Sequence, residues 1–419
     1  MKLHKSVVGF VGALVFFQPL LLLACGVSII NSNNGFDYGN DSAEQSFINY
    51  ENGTEKLIIS RDFTNGSKDT VWVIPIPSDP QQVNVDVIAD IPQFTGSDVE
   101  QEAAENMITI RDGMIATQIY PVLGLFVLSP TFDTSRSAGP SKGARIPQFG
   151  GGSNSDVTVF STIEKEGMIA EVLSAKNSDA LYTYLTEKGL NVEKNSISIL
   201  QDYIGKDFSF VASWISPSAK AGARKGLVMT FPTDKIFYPL KPGSVYPGEG
   251  LPETITVIGH VSPKIYTDIK AATEVHYYET WGGIFSKDFY TSDRPVPYTK
   301  IVISASPKAL TQDLYISPTA PLRISHATFI NHNPLLYGII VYLITVILTT
   351  YFTVKLLSLK ISKSQFIDLT VLNTLTIIGT IVGSRRSLKE KKWKYVLTFT
   401  VLFVILTLAF WAVMNYIYA

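Results

Sequence analysis

Glu274 and His276 are the pair in this sequence best spaced for chemistry. Two residues apart, they point the same way from an extended strand, where a carboxylate orients an imidazole as a general base or supplies half of a metal site. A pair is not a site. No H-E-x-x-H, G-x-S-x-G, S-x-x-K or C-x-x-C pattern accompanies it, and the five histidines, at positions 4, 260, 276, 326 and 332, lack ligand spacing. Glu100, Glu102 and Glu105 read as a solvated helix face, and the Asn- and Asp-rich stretch 31–45 lacks calcium-loop spacing. Gly150-Gly151-Gly152-Ser153 lacks the Gly-Lys-Ser/Thr ending of a phosphate cradle. No catalytic, metal or cofactor-binding residue is therefore assigned, no cofactor is expected, and the reading leans away from an enzyme.

Two other features carry chemistry of recognition and of modification. Residues 274–290 crowd Tyr277, Tyr278, Trp281 and Phe285 around Gly282-Gly283, where the chain can turn sharply. Exposed, these rings form a stacking or partner-binding surface; packed inward, they are core. Cys25 is the one cysteine, which excludes an intramolecular disulfide framework and a cysteine zinc site. It follows Lys2, Lys5, an apolar run over 7–24 and Leu22-Leu23-Ala24, the pattern of a bacterial lipobox whose thiol is acylated after cleavage. Ordinary cleavage nearby and retention as an uncleaved anchor are the alternatives. All three place the chain from Gly26 onward outside the cytoplasm.

The elements that must position these residues begin with the membrane. Residues 335–354 are uncharged, enough at about 1.5 Å per residue to cross a bilayer core of about 30 Å, and Lys355, Lys360 and Lys363 follow at once. Residues 395–417 form a second uncharged stretch, with Trp393 at one end and Trp411, Tyr416 and Tyr418 at the other. Between them, a third crossing at 366–382 would carry Arg385, Arg386, Lys389, Lys391, Lys392 and Lys394 outward, against the positive-inside rule. That segment is expected to be interfacial or re-entrant, and its pattern fits either element: Ile367, Leu369, Val371, Leu375 and Ile377 alternate with Asp368, Thr370, Thr374 and Thr376 as in a strand, while Ile367, Val371, Leu375, Ile378 and Val382 share one helical stripe. The anchor is then a two-helix hairpin, 335–357 and 395–417, closed by a basic cytoplasmic loop, 358–394. This places the protein in the cytoplasmic membrane of a prokaryote, with the N-terminal body and the C-terminus outside. The body carries an acidic excess and the basic residues gather beside the membrane, so lipid and an envelope protein are the expected partners and nucleic acid is not.

In the body, runs at 46–50, 56–63 and 70–77 read as strands of a meander, separated by Asn52-Gly53 and Asn65-Gly66. Pro75 and Pro77 cannot donate to a ladder, so the end of the third strand must lie at an edge or peel away. Residues 119–128 are apolar but too short to span, and read as buried strand or core. A Ser/Gly/Pro-rich linker or loop, 131–155, separates a β-rich lobe, 26–130, from a second α+β lobe, 156–330. In the second lobe, Asn177 or Ser178 caps a helix whose Leu181, Tyr184 and Leu185 share one face and which stops at Gly189. The fold class is α+β: a β-rich body of antiparallel sheets with a few short helices, then the membrane hairpin.

Several short patterns resemble a family of exported bacterial proteins, domain of unknown function 2330. They are Ala24-Cys25-Gly26, Trp72-Val73-Ile74-Pro75-Ile76-Pro77, the strand holding Phe210-Val211-Ala212, and Tyr238-Pro239-Leu240, in order over 24–262. This chain has Tyr184-Leu185 where such relatives tend to have Trp-Leu, and it lacks the further cysteines they often carry near the first. The resemblance implies an exported β-rich domain with no activity attached. The expected function is a membrane-anchored extracytoplasmic binding or scaffolding module of the envelope. The alternatives are a hydrolase with dispersed catalytic residues, or a transducer acting through the basic loop.

Overall fold

The computed structural model describes residues 27–32, 35–37, 45–61, 71–119, 156–190, 192, 194–216, 225–245, 252–280, 283–286, 289–292, 294–388 and 391–418. The signal segment with Cys25, the segment 131–155, Asn65-Gly66, Trp281 and Lys389 lie outside them, as does the side chain of Phe285.

Among the described residues the body is built on two large sheets. The first runs in the order β2 (Gly35–Asp37), β1 (Val27–Ser32), β5 (Val71–Ile76), β10 (Ser209–Ile215), β9 (Met168–Ala175) and β8 (Val157–Lys165), antiparallel throughout. The second runs β6 (Asn84–Ile88), β11 (Lys225–Pro232), β4 (Thr54–Arg61), β3 (Gln45–Glu51), β13 (Glu253–Ile258), β18 (Pro297–Ile303), β15 (Thr273–Thr280) and β7 (Gly96–Asp98). Its one parallel pair is β3 with β13. A small sheet of β12 (Ile236–Tyr238), β19 (Leu314–Ser317) and β14 (Ser262–Pro263) joins their core, and β16 (Gly283–Ser286) pairs with β17 (Tyr290–Ser292).

Local chemistry sets the hairpins. Asn52 and Gly53 both take positive φ, 52° and 78°, the tight turn whose twist matches the flanking strands β3 and β4. The expected meander stops there. β5 leaves for the other sheet, between β1 and β10, because its Trp72, Ile74 and Ile76 enter the shared core from that side. Among the described residues β1 pairs with 71–73, and Pro75 is paired with Phe210 of β10. Each large sheet also takes strands from both sides of segment 131–155, so the lobes expected at 26–130 and 156–330 share their sheets and a single core.

That core is aliphatic, with Ile48, Leu57, Ile59, Ile74, Ile255, Ile301 and Ile303 all fully buried. Against the far face of the six-stranded sheet lie α2 (Ser178–Glu187) and α3 (Lys194–Ser198). Asn177 caps α2, accepting from Ala180 N at 2.7 Å, and Gly189 with φ 81° ends it, as its sequence requires. A one-turn helix, α4 (Thr267–Lys270), precedes β15.

The chain then becomes helical: α5 (Leu322–His332), α6 (Pro334–Leu356), α7 (Lys363–Asn373), α8 (Thr376–Ser387) and α9 (Lys392–Tyr418). Two of these, α6 and α9, are long and apolar enough to cross a membrane. At 11 and 12 residues, or about 16–18 Å, α7 and α8 are too short to cross and instead form a helical hairpin packed on α6 and α9. A Cβ on Gly379 would sit 1.9 Å from Leu372 O, so only glycine lets the two short helices approach this closely. The hairpin tip reaches Tyr342, well inside α6, whose hydroxyl donates to Thr374 O at 3.1 Å.

Helix α1 (Val99–Ile119) joins this bundle rather than the sandwich; the apolar stretch expected as strand or core at 119–128 lies, beyond Ile119, outside the described residues. Val99, Ala103, Met107, Ile110 and Met114 make one buried stripe that packs with Tyr337, Val341, Phe399 and Met414. Arg323 ties its start to the far end of α9, pairing with Glu100 and lying over the Tyr418 ring, while Arg111 lies over Trp411 at 4.6 Å. The helix therefore runs antiparallel to α9, and residues 112–119 continue about 12 Å further along the bundle.

Candidate functional site

Strand alternation gives the eight-stranded sheet two unlike faces. Ile48, Ile255, Val257, Ile301 and Ile303 point into the shared core, and their neighbours Phe47, Thr254, Thr256, Tyr298 and Lys300 point away from it. Register places Tyr278 beside Tyr298, and sets His276, Lys300, Thr256 and Phe47 in one row across four adjacent strands. The loop 91–95 then folds across this outer face. It can do so because Gly96 lies against the β15 backbone, where a Cβ would be 2.4 Å from Glu279 O.

The result is an open groove with a cavity volume of about 490 Å³, lined by Gln45, Phe47, Gln93, Phe94, Thr95, Thr254, Thr256, Tyr278, Tyr298 and Lys300, with Pro92 and Gly96. Its rings form a connected series. Tyr278 stacks on Tyr298 at 5.1 Å and 19°, Phe94 tilts over Tyr298 at 5.2 Å, and Phe47 stacks on Phe94 at 6.0 Å. Phe47 and Tyr298 are buried and form the floor, Tyr278 and Phe94 are half-buried, and Gln93 and Thr95 stand exposed at the rim. Burial, then the neighbouring Tyr278, pushes the Tyr298 hydroxyl up to about 12; burial, then Asp98, raises that of Tyr278. Both stay protonated as hydrogen-bond donors near neutral pH.

The residues singled out in the sequence divide among different places. Tyr277 and Tyr278 were expected on one surface, but adjacent strand residues face opposite ways. Only Tyr278 lines the groove, while Tyr277 is buried beside α1 with its ring edge against His260 at 5.9 Å. Trp281 and the Phe285 side chain lie outside the described residues, as does Cys25. Glu274 and His276 do meet, at 3.4 Å, exposed on the groove's face, and the His276 ring is 6.2 Å from that of Tyr278. Among the described residues no third His, Cys, Asp or Glu completes a metal cluster there. Arg385 and Arg386 end α8, and Lys391, Lys392 and Lys394 open α9, at the end of the bundle remote from α5. Lys391 Nζ donates to Leu357 O at 3.3 Å, tying α9 to the end of α6.

Sequence reasoning missed Phe47, Phe94, Tyr298 and Lys300. The signal was there in alternation, as Gln45-Ser46-Phe47 and Tyr298-Thr299-Lys300 each send a ring or a polar group to the same face, yet nothing local says which strands become neighbours.

Other buried polar groups in the body serve as clasps. Glu171 accepts from Tyr184 at 2.5 Å and from Lys188 at 2.7 Å, holding α2 on the six-stranded sheet. Asp313 accepts from Tyr203 at 2.9 Å and from Lys241 N at 3.0 Å, and burial, offset in part by these bonds, pushes its carboxyl up to about 6. Glu55, fully buried and accepting from Phe237 N at 2.8 Å, is raised well above the usual carboxylate range by burial.

With this geometry in place, the chain compares with known proteins as follows. The family described as "Uncharacterized protein conserved in bacteria (DUF2330)" matches residues 21–248, more than half of the sequence and in agreement with the short motifs that resemble it. No curated protein matches. Among solved structures, a mutated baculovirus P35 after caspase cleavage is similar at 11% identity and a TM-score of 0.25, over 66% of this chain and 100% of that one. The P35 of a caspase-8/P35 complex is similar at 11% identity and a TM-score of 0.22, over 66% and 97%.

Proposed function

We propose that this chain, which belongs to the bacterial DUF2330 family, is a membrane-tethered binding module that takes its ligand in the groove on the outer face of the eight-stranded sheet. The observation that carries the reading is the asymmetry of that sheet. A core-only sheet face is closed by aliphatic packing; this one keeps stacked rings interleaved with amides, hydroxyls and a lysine in an open trough. Lys300 holds no ion pair among the described residues, so its ammonium group can donate hydrogen bonds to a ligand.

The tether is α6 and α9, with the body extracytoplasmic. Supporting this orientation, Lys355, Lys360, Lys363, Arg385, Arg386, Lys391, Lys392 and Lys394 gather at the bundle end opposite α5 and the sandwich. The α7–α8 hairpin is re-entrant from the cytoplasmic side: its Ile367, Val371, Leu375, Ile378 and Val382 form an exposed apolar stripe suited to lipid. Helix α1 dips in from the outside, with Arg111 and Trp411 at the outer interface.

In a Cys25→Ser background, an impermeant thiol reagent on intact cells is expected to label Thr183→Cys in the body and to spare Ser364→Cys in α7. Labelling of position 364, or protection of 183, would overturn the orientation. A photo-crosslinking residue at Gln93 should give a discrete adduct in growing cells that the same residue at Lys264 does not. Identical patterns from both positions would remove the groove as the site.

A further inference from the structure

We infer that the ligand of this groove is an oligosaccharide chain of neutral hexose units, bound by stacking of sugar faces on Tyr278 and Phe94. The inference rests on the reading of the groove as the binding site. A pyranose ring presents a flat C–H face and a rim of hydroxyls, and the groove offers the complement of both. Two half-buried rings stand over a floor of Phe47 and Tyr298, and Gln45, Gln93, Thr95, Thr254, Thr256 and the two tyrosine hydroxyls lie between and around them. These groups are uncharged and each can donate; the amides and hydroxyls also accept, which suits hydroxyls that do both.

Other ligand classes fit less well. A peptide recognised as an added strand needs unpaired backbone at a sheet edge. Where they line the groove the strands are bonded on both sides: β13 by β3 and β18, β18 by β13 and β15, and β15 at residues 278–280 by β18 or its flank and by β7, which covers the edge at Tyr278. Nucleic acid needs several cations along its phosphates, and Lys300 is the one basic residue among the described lining. An acyl chain needs continuous apolar walls, which the threonines and glutamines interrupt. The trough is open rather than enclosed, so a chain can lie across it with units extending beyond either end.

The test uses the full-length protein in detergent micelles, titrated calorimetrically with cellohexaose and with its N-acetylated counterpart. At least one is expected to bind, Tyr278→Ala to weaken it by about ten-fold or more, and Tyr278→Phe to stay within about three-fold, because the stacking face is what matters. Near-UV circular dichroism checks that Tyr278→Ala keeps its packing. If neither glycan binds up to about 5 mM, the weak end of specific recognition, the inference is overturned. Binding that is indifferent to Tyr278→Ala in a folded protein overturns it as well. An acyl chain or peptide that protects a Thr254→Cys label in a Cys25→Ser background, while glycans do not, overturns the glycan assignment and leaves the groove as the site. Uniform crosslinking from Gln93 and Lys264 removes the groove itself, so the two readings fail separately.

Discussion

The inside of the sandwich and the inside of the helical bundle differ in what they bury beside their apolar side chains. Between the sheets lie Ile48, Leu57, Ile59, Ile255, Ile301 and Ile303, and the large apolar side chains point inward. Between the helices lie Thr345, Thr349, Thr350, Thr353, Asn373, Gly379, Thr380 and Ser384, while Leu343, Ile344, Ile347, Leu348 and Ile378 point outward. The bundle also buries large side chains, among them Met107, Phe399 and Phe403, but its outer surface, unlike the sandwich's, is aliphatic. In water, burying a large aliphatic side chain contributes about 1.5–3 kcal/mol, so the sandwich hides them. On the proposed membrane reading, lipid is as apolar as leucine and offers no such gain, which leaves close approach at small residues and hydrogen bonds among neutral polar groups to add to the bundle's packing. The body's buried polar groups, by contrast, include carboxylates, Glu55, Glu171, Glu253 and Asp313.

The contrast can be broken most directly at Ile301, which is fully buried between the sheets. Ile301→Ala should destabilise the body by about 2–5 kcal/mol in denaturant unfolding, whereas Leu343→Ala on the outward face of α6 should change bundle stability by less than about 0.5 kcal/mol. Equal effects would mean that α6 is not in lipid.

Next in size is Asp313. Its carboxyl is raised from an ordinary 3.8 to about 6 by burial, so the folded state favours the protonated acid. That contribution is present below pH 3.8 and is lost as the pH rises through about 6, a difference on the order of 2–3 kcal/mol. Asp313→Asn keeps an acceptor for Tyr203 and Lys241 N and should flatten the pH profile of body stability across that window. Because the substitution leaves every other titrating group in place, the difference between the two profiles isolates Asp313.

Gly379→Leu should cost the bundle about 1–3 kcal/mol by forcing α7 from α8, read as faster tryptic cleavage after Arg385 and Arg386. The body's melting should not move. Smallest is Asn373→Ala, which removes bonds of 2.9 Å to Thr350 and 2.8 Å to Tyr395 and should cost about 0.6–1.7 kcal/mol. A larger loss would show that the bundle depends on buried polarity as heavily as the body depends on apolar area.

What could be read from the sequence was local. The Asn52-Gly53 turn, the Asn177 cap and the uncharged lengths of α6 and α9 each follow from a few adjacent residues. The outward stripe of the α7–α8 hairpin was also visible as a helical period, though only packing shows that it forms two short helices meeting at Gly379 rather than a single surface helix. What could not be read was long-range. Nothing near Trp72 says that its strand abandons the hairpin before it, and nothing near Met107 says that its helix leaves the body. The groove failed for the same reason, since Phe94, Phe47, Tyr278 and Tyr298 come from four separated segments that the sheet order alone brings together.

The interleaving of the sheets also sets a timetable. β3 finds a partner at once in β4, but its other neighbour is β13, and β5 waits for β10. As the chain emerges from its N-terminus, residues up to 119 hold strand edges that cannot be paired until residues 209–303 arrive, and exposed edges invite pairing with other chains. Loop closures this long are slow. The body's sheets are therefore completed late in synthesis, and until then the early strands must be kept from pairing with another chain.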